Sequence, residues 1–201
     1  MMGESHFILG AVTAVTGLAT LGYTPANVGV GRYALAIGLG ALVALLPDID
    51  SPNTLIRQLF GVGRDQARRN MRRWQRQGWL VVLLNLVRLL ISWLLDGLAW
   101  LFPHRGPTHW LIVAVALTWG FHELSIWYGW PLVWWRAFAL GYVSHLIGDS
   151  VTIAGVKLLM PFYDKAVGFP LKFLRVRTGS WQEQIWLWSL VGLQLGWLMG
   201  L

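Results

Sequence analysis

Gly141-Tyr142-Val143-Ser144-His145-Leu146-Ile147-Gly148-Asp149-Ser150 decides how this chain is read. The stretch lies inside the apolar run 132–154, where an ionisable side chain is costly, yet it holds a histidine and a carboxylate four residues apart. On a helix that spacing sets both side chains on one face, one turn apart. Ionisable groups inside a membrane segment mark a functional site by default. The composition agrees with a membrane setting: 56% of the 201 residues are hydrophobic and 12% are charged, about half the charged share of soluble domains. The expected fold is all-α, a multi-pass membrane helical bundle forming a single domain over 1–201.

On the N-terminal side of that run, Gly129-Trp130-Pro131 is a turn, and 110–128 is another span, interrupted by His122-Glu123. Further back, 7–23 and 28–46 are spans separated by a turn at Tyr23–Asn27, and 185–201 is a last span. Ser5 reads as an N-cap with His6 in the first helical turn. Gly106 and Pro107 suit N-cap and N1 of the span that follows them, and Ser51-Pro52 suits the same pair of a short helix. The start, Met1 to His6, has no basic region ahead of an apolar core, so no removable signal peptide is expected. Residues 79–102 are long enough to span, but Asn85, Arg88, Ser92 and Asp96 make one polar stripe on a helix of Leu, Val, Ile and Trp. An interfacial or re-entrant helix fits that stripe.

Charge orients the chain. Residues 57–76 hold seven arginines against Asp65, and 156–180 hold Lys157, Lys165, Lys172, Arg175 and Arg177 against Asp164, together twelve of the sixteen basic residues. Both segments are cytoplasmic by the positive-inside rule. They read as topology and anionic-lipid signals, with 57–76 as the lipid-binding stretch and no nucleic acid expected. If 79–102 does not cross, both basic segments fall inside, and so do His6, Asp48, Asp50, His104, His109, Glu183 and the deep half of 132–154. If it does cross, His104 and His109 are separated from Asp48 and Asp50. The consistent reading is that 79–102 does not cross.

His6, Asp48, Asp50, His104, His109, His145, Asp149 and Glu183 then form one candidate cluster at the cytoplasmic face. There is no cysteine, so thiolate sites are excluded. Imidazoles with carboxylates suit zinc, and also manganese or iron. The set suffices for two ions, the arrangement that activates water and clamps a phosphoester, with Asp149 or Asp50 as a bridge. Arg105 carries the planar fork that suits phosphate. Each residue alone also has a structural reading: Ser180-x-x-Glu183 is a capping box, Asp50-Ser51-Pro52 a helix start, and His145 and Asp149 a pair satisfying each other. His122 and Glu123 lie toward the outer half and are read as structural. The tryptophan-rich helix ends are an aromatic belt. What raises the cluster above these readings is that an independent charge argument brings all its members to one side.

His6, Leu46-Pro47-Asp48-Ile49-Asp50-Ser51-Pro52, His104-Arg105-Gly106-x-Thr108-His109, Gly141-x-x-x-His145-x-x-x-Asp149 and Thr178-Gly179-Ser180-x-x-Glu183 occur in that order. As a set they resemble the YdjM-like family of LexA-regulated bacterial inner-membrane proteins, described as metal-dependent hydrolases, over nearly the whole chain. That family is in turn similar to the all-α zinc phospholipase C and P1 nuclease group, which binds zinc through His, Asp and Glu, including a helical His-x-x-x-Asp. The resemblance implies that His145 and Asp149 match that element. It makes His6, Asp50, His104, His109 and Glu183 the remaining ligand candidates, and implies a cofactor of two or more divalent ions, zinc first. The 79–102 segment is a long insert between the second and third motifs, suited to lid the site or guide a lipid.

The expected activity is hydrolysis of a lipid, lipid-linked or small-molecule phosphoester by a metal-activated water. Arg105 would hold phosphate, and whichever of Asp48 and Asp50 is not a ligand would be the general base. Two other classes compete: a metal-ion or proton-coupled transporter, and a scaffold acting through residues 57–76. The first lacks an inverted repeat or a broken-helix pair.

Overall fold

A computed structural model describes residues 1–50, 54–59, 78–101, 106–169 and 172–200. Its α-helices are α1 (Gly3–Thr20), α2 (Pro25–Val28), α3 (Val30–Val43), α4 (Leu55–Leu59), α5 (Trp79–Leu101), α6 (Leu111–Trp127), α7 (Leu132–Ser150) and α8 (Trp181–Met199). Among the described residues there is no strand; Thr152 with Val176 and Val156 with Val167 form isolated bridges in the irregular segment after α7. Each expected span coincides with a helix within a few residues. Two units separate: Met1–Pro47 with Pro107–Leu201, and Asp48–Gly106.

The first unit is built on α1, α3 and α7, which pack on one another, with α8 against α1 and α6 against α7. Small residues permit this. A Cβ on Gly141 of α7 would stand 2.2 Å from the Gly40 carbonyl oxygen of α3, and one on Gly10 of α1 would stand 2.4 Å from the Ala44 Cβ. Backbones that close need glycine at the crossing, the usual device of membrane helix pairs. Gly141→Ala should therefore destabilise the protein by about 1–3 kcal/mol through overpacking. The control is Gly38→Ala, whose added methyl meets nothing within 4 Å. A lower melting temperature in detergent for the first variant but not the second is the expected result.

Burial in this unit runs opposite to a water-soluble protein. Ser5, His6, His109, Ser144, His145, Asp149 and Glu183 are buried, while Trp127, Val115, Trp188 and Leu193 are more than half exposed. Apolar packing still fills the gaps: Leu18, Tyr33, Ala36, Val133 and Ala137 form one cluster, and Val43, Ala114, Tyr142, Leu146 and Val156 another.

Several local expectations are corrected. Ser5 is not the N-cap of α1. The helix starts at Gly3 with Met2 as cap, and Ser5 bonds the Glu183 side chain. The turn at 23–27 contains a one-turn helix, α2, with a capping box between Thr24 and Asn27. Pro107 opens a 3-10 turn, Pro107–His109, and α6 begins only after Trp110. Ser51-Pro52 lies outside the described residues.

In the second unit, α5 turns Asn85 and Ser92 inward and leaves Trp79, Leu83, Leu86, Leu90, Trp93 and Trp100, among others, exposed. The expected stripe is real, except that Arg88 is exposed. Arg57 overturns its reading as part of a lipid-facing basic run. It is 1% exposed, its Nε donates to the Ile49 carbonyl at 2.9 Å and its Nη1 to Asp96 Oδ1 at 2.6 Å. The other arginines of 57–76 lie outside the described residues. Among the described residues, Trp79–Gly97 of α5 is the stretch long and apolar enough to cross a membrane by length and composition, and α3 and α6 are apolar but shorter.

Candidate metal centre

The site grows from the α7 turn that carries His145 and Asp149. The one-face spacing holds: His145 Nε2 lies 3.9 Å from Asp149 Oδ2. His109, at the end of the 3-10 turn before α6, brings its Nε2 to 3.6 Å from the same oxygen and 3.1 Å from His145 Nε2. His6, one turn into α1, stacks on the His145 ring at 3.9 Å between centroids and sets Nε2 3.2 Å from Asp149 Oδ1. The Met1 amino group donates to that Oδ1 as well. Gly148 makes room for His6, since a Cβ there would meet the imidazole at 3.1 Å.

The second nitrogens have their own partners, and at His145 the partner sets the tautomer. His145 Nδ1 stands 2.7 Å from the Ala44 carbonyl oxygen, which can only accept, so Nδ1 carries the proton and Nε2 presents a lone pair. His109 Nδ1 is 3.1 Å from the Thr108 hydroxyl. These are the outer partners that orient a metal-binding imidazole. Ala44 is the C-cap of α3, beyond the last helical residue, Val43, where carbonyls lack an intrahelical partner.

Donor geometry and chemistry fit a metal. With Zn–N and Zn–O bonds of ~2.0–2.2 Å, tetrahedral ligand atoms stand roughly 3.3 Å apart. The triangle of His109 Nε2, His145 Nε2 and Asp149 Oδ2 has edges of 3.1, 3.6 and 3.9 Å. A further nitrogen, His6 Nδ1, is buried with no hydrogen-bond partner, an arrangement that is costly unless something fills it. Nitrogen-rich donors with one carboxylate suit zinc best.

Glu183 is fully buried, but its oxygens accept from the N–H of Met2 at 2.6 Å and of Gly179 at 2.7 Å. It joins the start of α8 to the start of α1. The capping box is not made: Ser180 Oγ is buried without a partner. Burial by itself raises the Glu183 pKa. The N–H groups of Met2 and Gly179, the Ser5 hydroxyl and the amino terminus outweigh it and hold the carboxyl below the usual glutamate range. Asp48 sits in the 3-10 turn Leu46–Asp50, where the second unit begins, and is largely buried. The Asp50 side chain, His104 and Arg105 lie outside the described residues. His122 pairs with Glu123 at 3.2 Å, away from the cluster. Two supporting groups were not read from sequence. One is the Ala44 carbonyl, which no side-chain pattern reveals. The other is Tyr142, whose hydroxyl donates to the Thr108 carbonyl at 2.5 Å.

A helical protein that gathers imidazoles and a carboxylate inside and turns its tryptophans and leucines outward is a membrane protein with a buried polar centre. The sequence model of the YdjM inner membrane protein family matches residues 1–200. The chain belongs to that family. The inner membrane proteins YdjM of Escherichia coli (strain K12) and of Shigella flexneri are each 31% identical to it over 122 residues, 60% of this chain and 46% of theirs. The matched part thus spans about half the length of these curated relatives. No solved structure matches the chain.

Proposed function

We propose that this inner-membrane protein is a multi-pass, metal-dependent hydrolase whose site faces the cytoplasm and cleaves a phosphoester of a lipid or lipid-linked substrate. The observation that carries the reading is the buried triangle of His109, His145 and Asp149, with edges near those of a tetrahedral zinc site, beside the unpartnered His6 Nδ1. A bound divalent ion would lower the pKa of a water toward ~7 and polarise a phosphoryl oxygen. His145, locked by Ala44, presents its Nε2 lone pair beside His109 Nε2, and a bound ion would take a lone pair from each. Asp149 supplies negative charge there, and the surrounding burial excludes bulk water. By its place beside His104 in the sequence, Arg105 is the group to hold the phosphate. Asp48 or Asp50 is the carboxylate to take the proton from the attacking water.

Purified protein loaded with zinc should hydrolyse a chromogenic phosphodiester, and His145→Ala and Asp149→Ala should each abolish the activity. Full activity in both variants would end the assignment. The orientation rests on the charge argument, with α5 lying along the cytoplasmic surface. A cysteine placed at position 104 should be silent to an impermeant thiol reagent added from the periplasm and react when it is added from the cytoplasmic side. Labelling from the periplasm would put α5 across the membrane.

A further inference from the structure

Between α6 and α7 runs an open groove of about 460 Å³. Its α6 wall is a helical stripe that includes Leu111, Ala114, Val115, Thr118 and Trp119, and its α7 wall includes Ala139 and Val143. Alanines on both walls give it width. Trp135 directs its indole N–H to the Thr118 carbonyl at 2.9 Å, so that indole offers no free donor to the groove. Leu111, Val115, Trp119 and Val143 are each at least 45% exposed, so the groove opens on the face that meets lipid.

We infer that this groove holds one hydrocarbon chain of the lipid phosphoester, with the ester end delivered to the histidine cluster. The inference rests on the hydrolase reading for the substrate's chemistry, and on the groove alone for the chain. The site end lies near the cluster along both helices: Leu111 follows His109 by two residues, and Tyr142, one turn before His145, lines the groove while its hydroxyl is bound at Thr108. The far end is closed by His122, whose ring meets Trp135 edge-on at 4.8 Å. From 111 to 122 the helix rises about 16 Å at ~1.5 Å per residue, about half of a ~30 Å hydrocarbon core. That is the depth one chain of one leaflet occupies, and the His122–Trp135 contact sets the length it can reach.

The test reconstitutes the full chain in phosphatidylethanolamine–phosphatidylglycerol vesicles containing phosphatidylglycerol with a diazirine in mid-chain, and maps the photocrosslinks. Expected labelling of Leu111–Trp119 and Val143 is about tenfold denser than at Trp188 and Leu193 of α8, which also face lipid, a preference of ~1.4 kcal/mol. Ala139→Phe, which fills the groove, should reduce it to the α8 level. Equal labelling at both faces in the wild type, which needs no variant to fold, overturns the inference. So does groove labelling that persists in a folded Ala139→Phe protein. Crosslinking needs no turnover, so His145→Ala should label as the wild type does. Dense groove labelling in a protein that binds no metal would sink the hydrolase reading and keep the groove.

Discussion

His145→Ala/Asp149→Ala should bind no metal where the wild type, purified without chelators, carries it stoichiometrically. The loss is expected to be complete because the double change removes two corners of the ligand triangle and leaves only His109, with His6 beside it. Loss of a single outer partner of a ligand typically costs 10–100-fold in metal affinity, so removing two ligands goes well beyond that. Elemental mass spectrometry of wild type and variant side by side checks it, with helicity measured to show that the variant is folded. Thr108→Val tests the outer layer: it removes the hydroxyl facing His109 Nδ1 and should weaken the metal within that 10–100-fold range without abolishing binding. A folded wild type that takes up no metal even when metal is added back would return the histidines to a structural role.

Arg57→Ala should produce the largest loss of stability. The guanidinium is buried and holds both the Ile49 carbonyl and Asp96, so its removal takes the counter-charge of Arg57 from a carboxylate that is only partly exposed. Breaking a buried pair from one side costs about 3–5 kcal/mol. The 16% side-chain exposure of Asp96 points to the lower end. Arg57→Met/Asp96→Leu should recover most of the loss, because an apolar pair of similar volume is often neutral. Melting curves of the two variants in detergent decide the matter. If the double variant is no better than Arg57→Ala, the guanidinium acts chiefly through the Ile49 carbonyl.

These two sites also mark what the sequence discloses. His145 and Asp149 were legible because helical periodicity is local: four residues apart in an apolar run can only mean one face. The helix positions were legible for the same reason. Arg57 was not, because a run of seven arginines looks uniform in one dimension, and the partner that holds Arg57 inside, Asp96, is thirty-nine residues on. Ser5 and Glu183 misled in a related way. Each has the residue type of a local cap, but each finds its partner in the other terminal helix. Long-range contacts outbid the local ones because the starts of α1 and α8 meet at one buried place.

The partnership of Ala44 with His145 has a consequence for how this site can change. The end of α3 at Val43 leaves the peptide oxygen of its cap residue to face outward from the helix, and that oxygen selects which nitrogen of a distant imidazole bears hydrogen. The reactive form of the histidine is thus written in the length of another helix. Inserting or deleting one residue between Gly40 and Ala44 would turn that oxygen by about 100° around the helix axis at 3.6 residues per turn. It would disarm His145 while leaving every ligand residue in the chain.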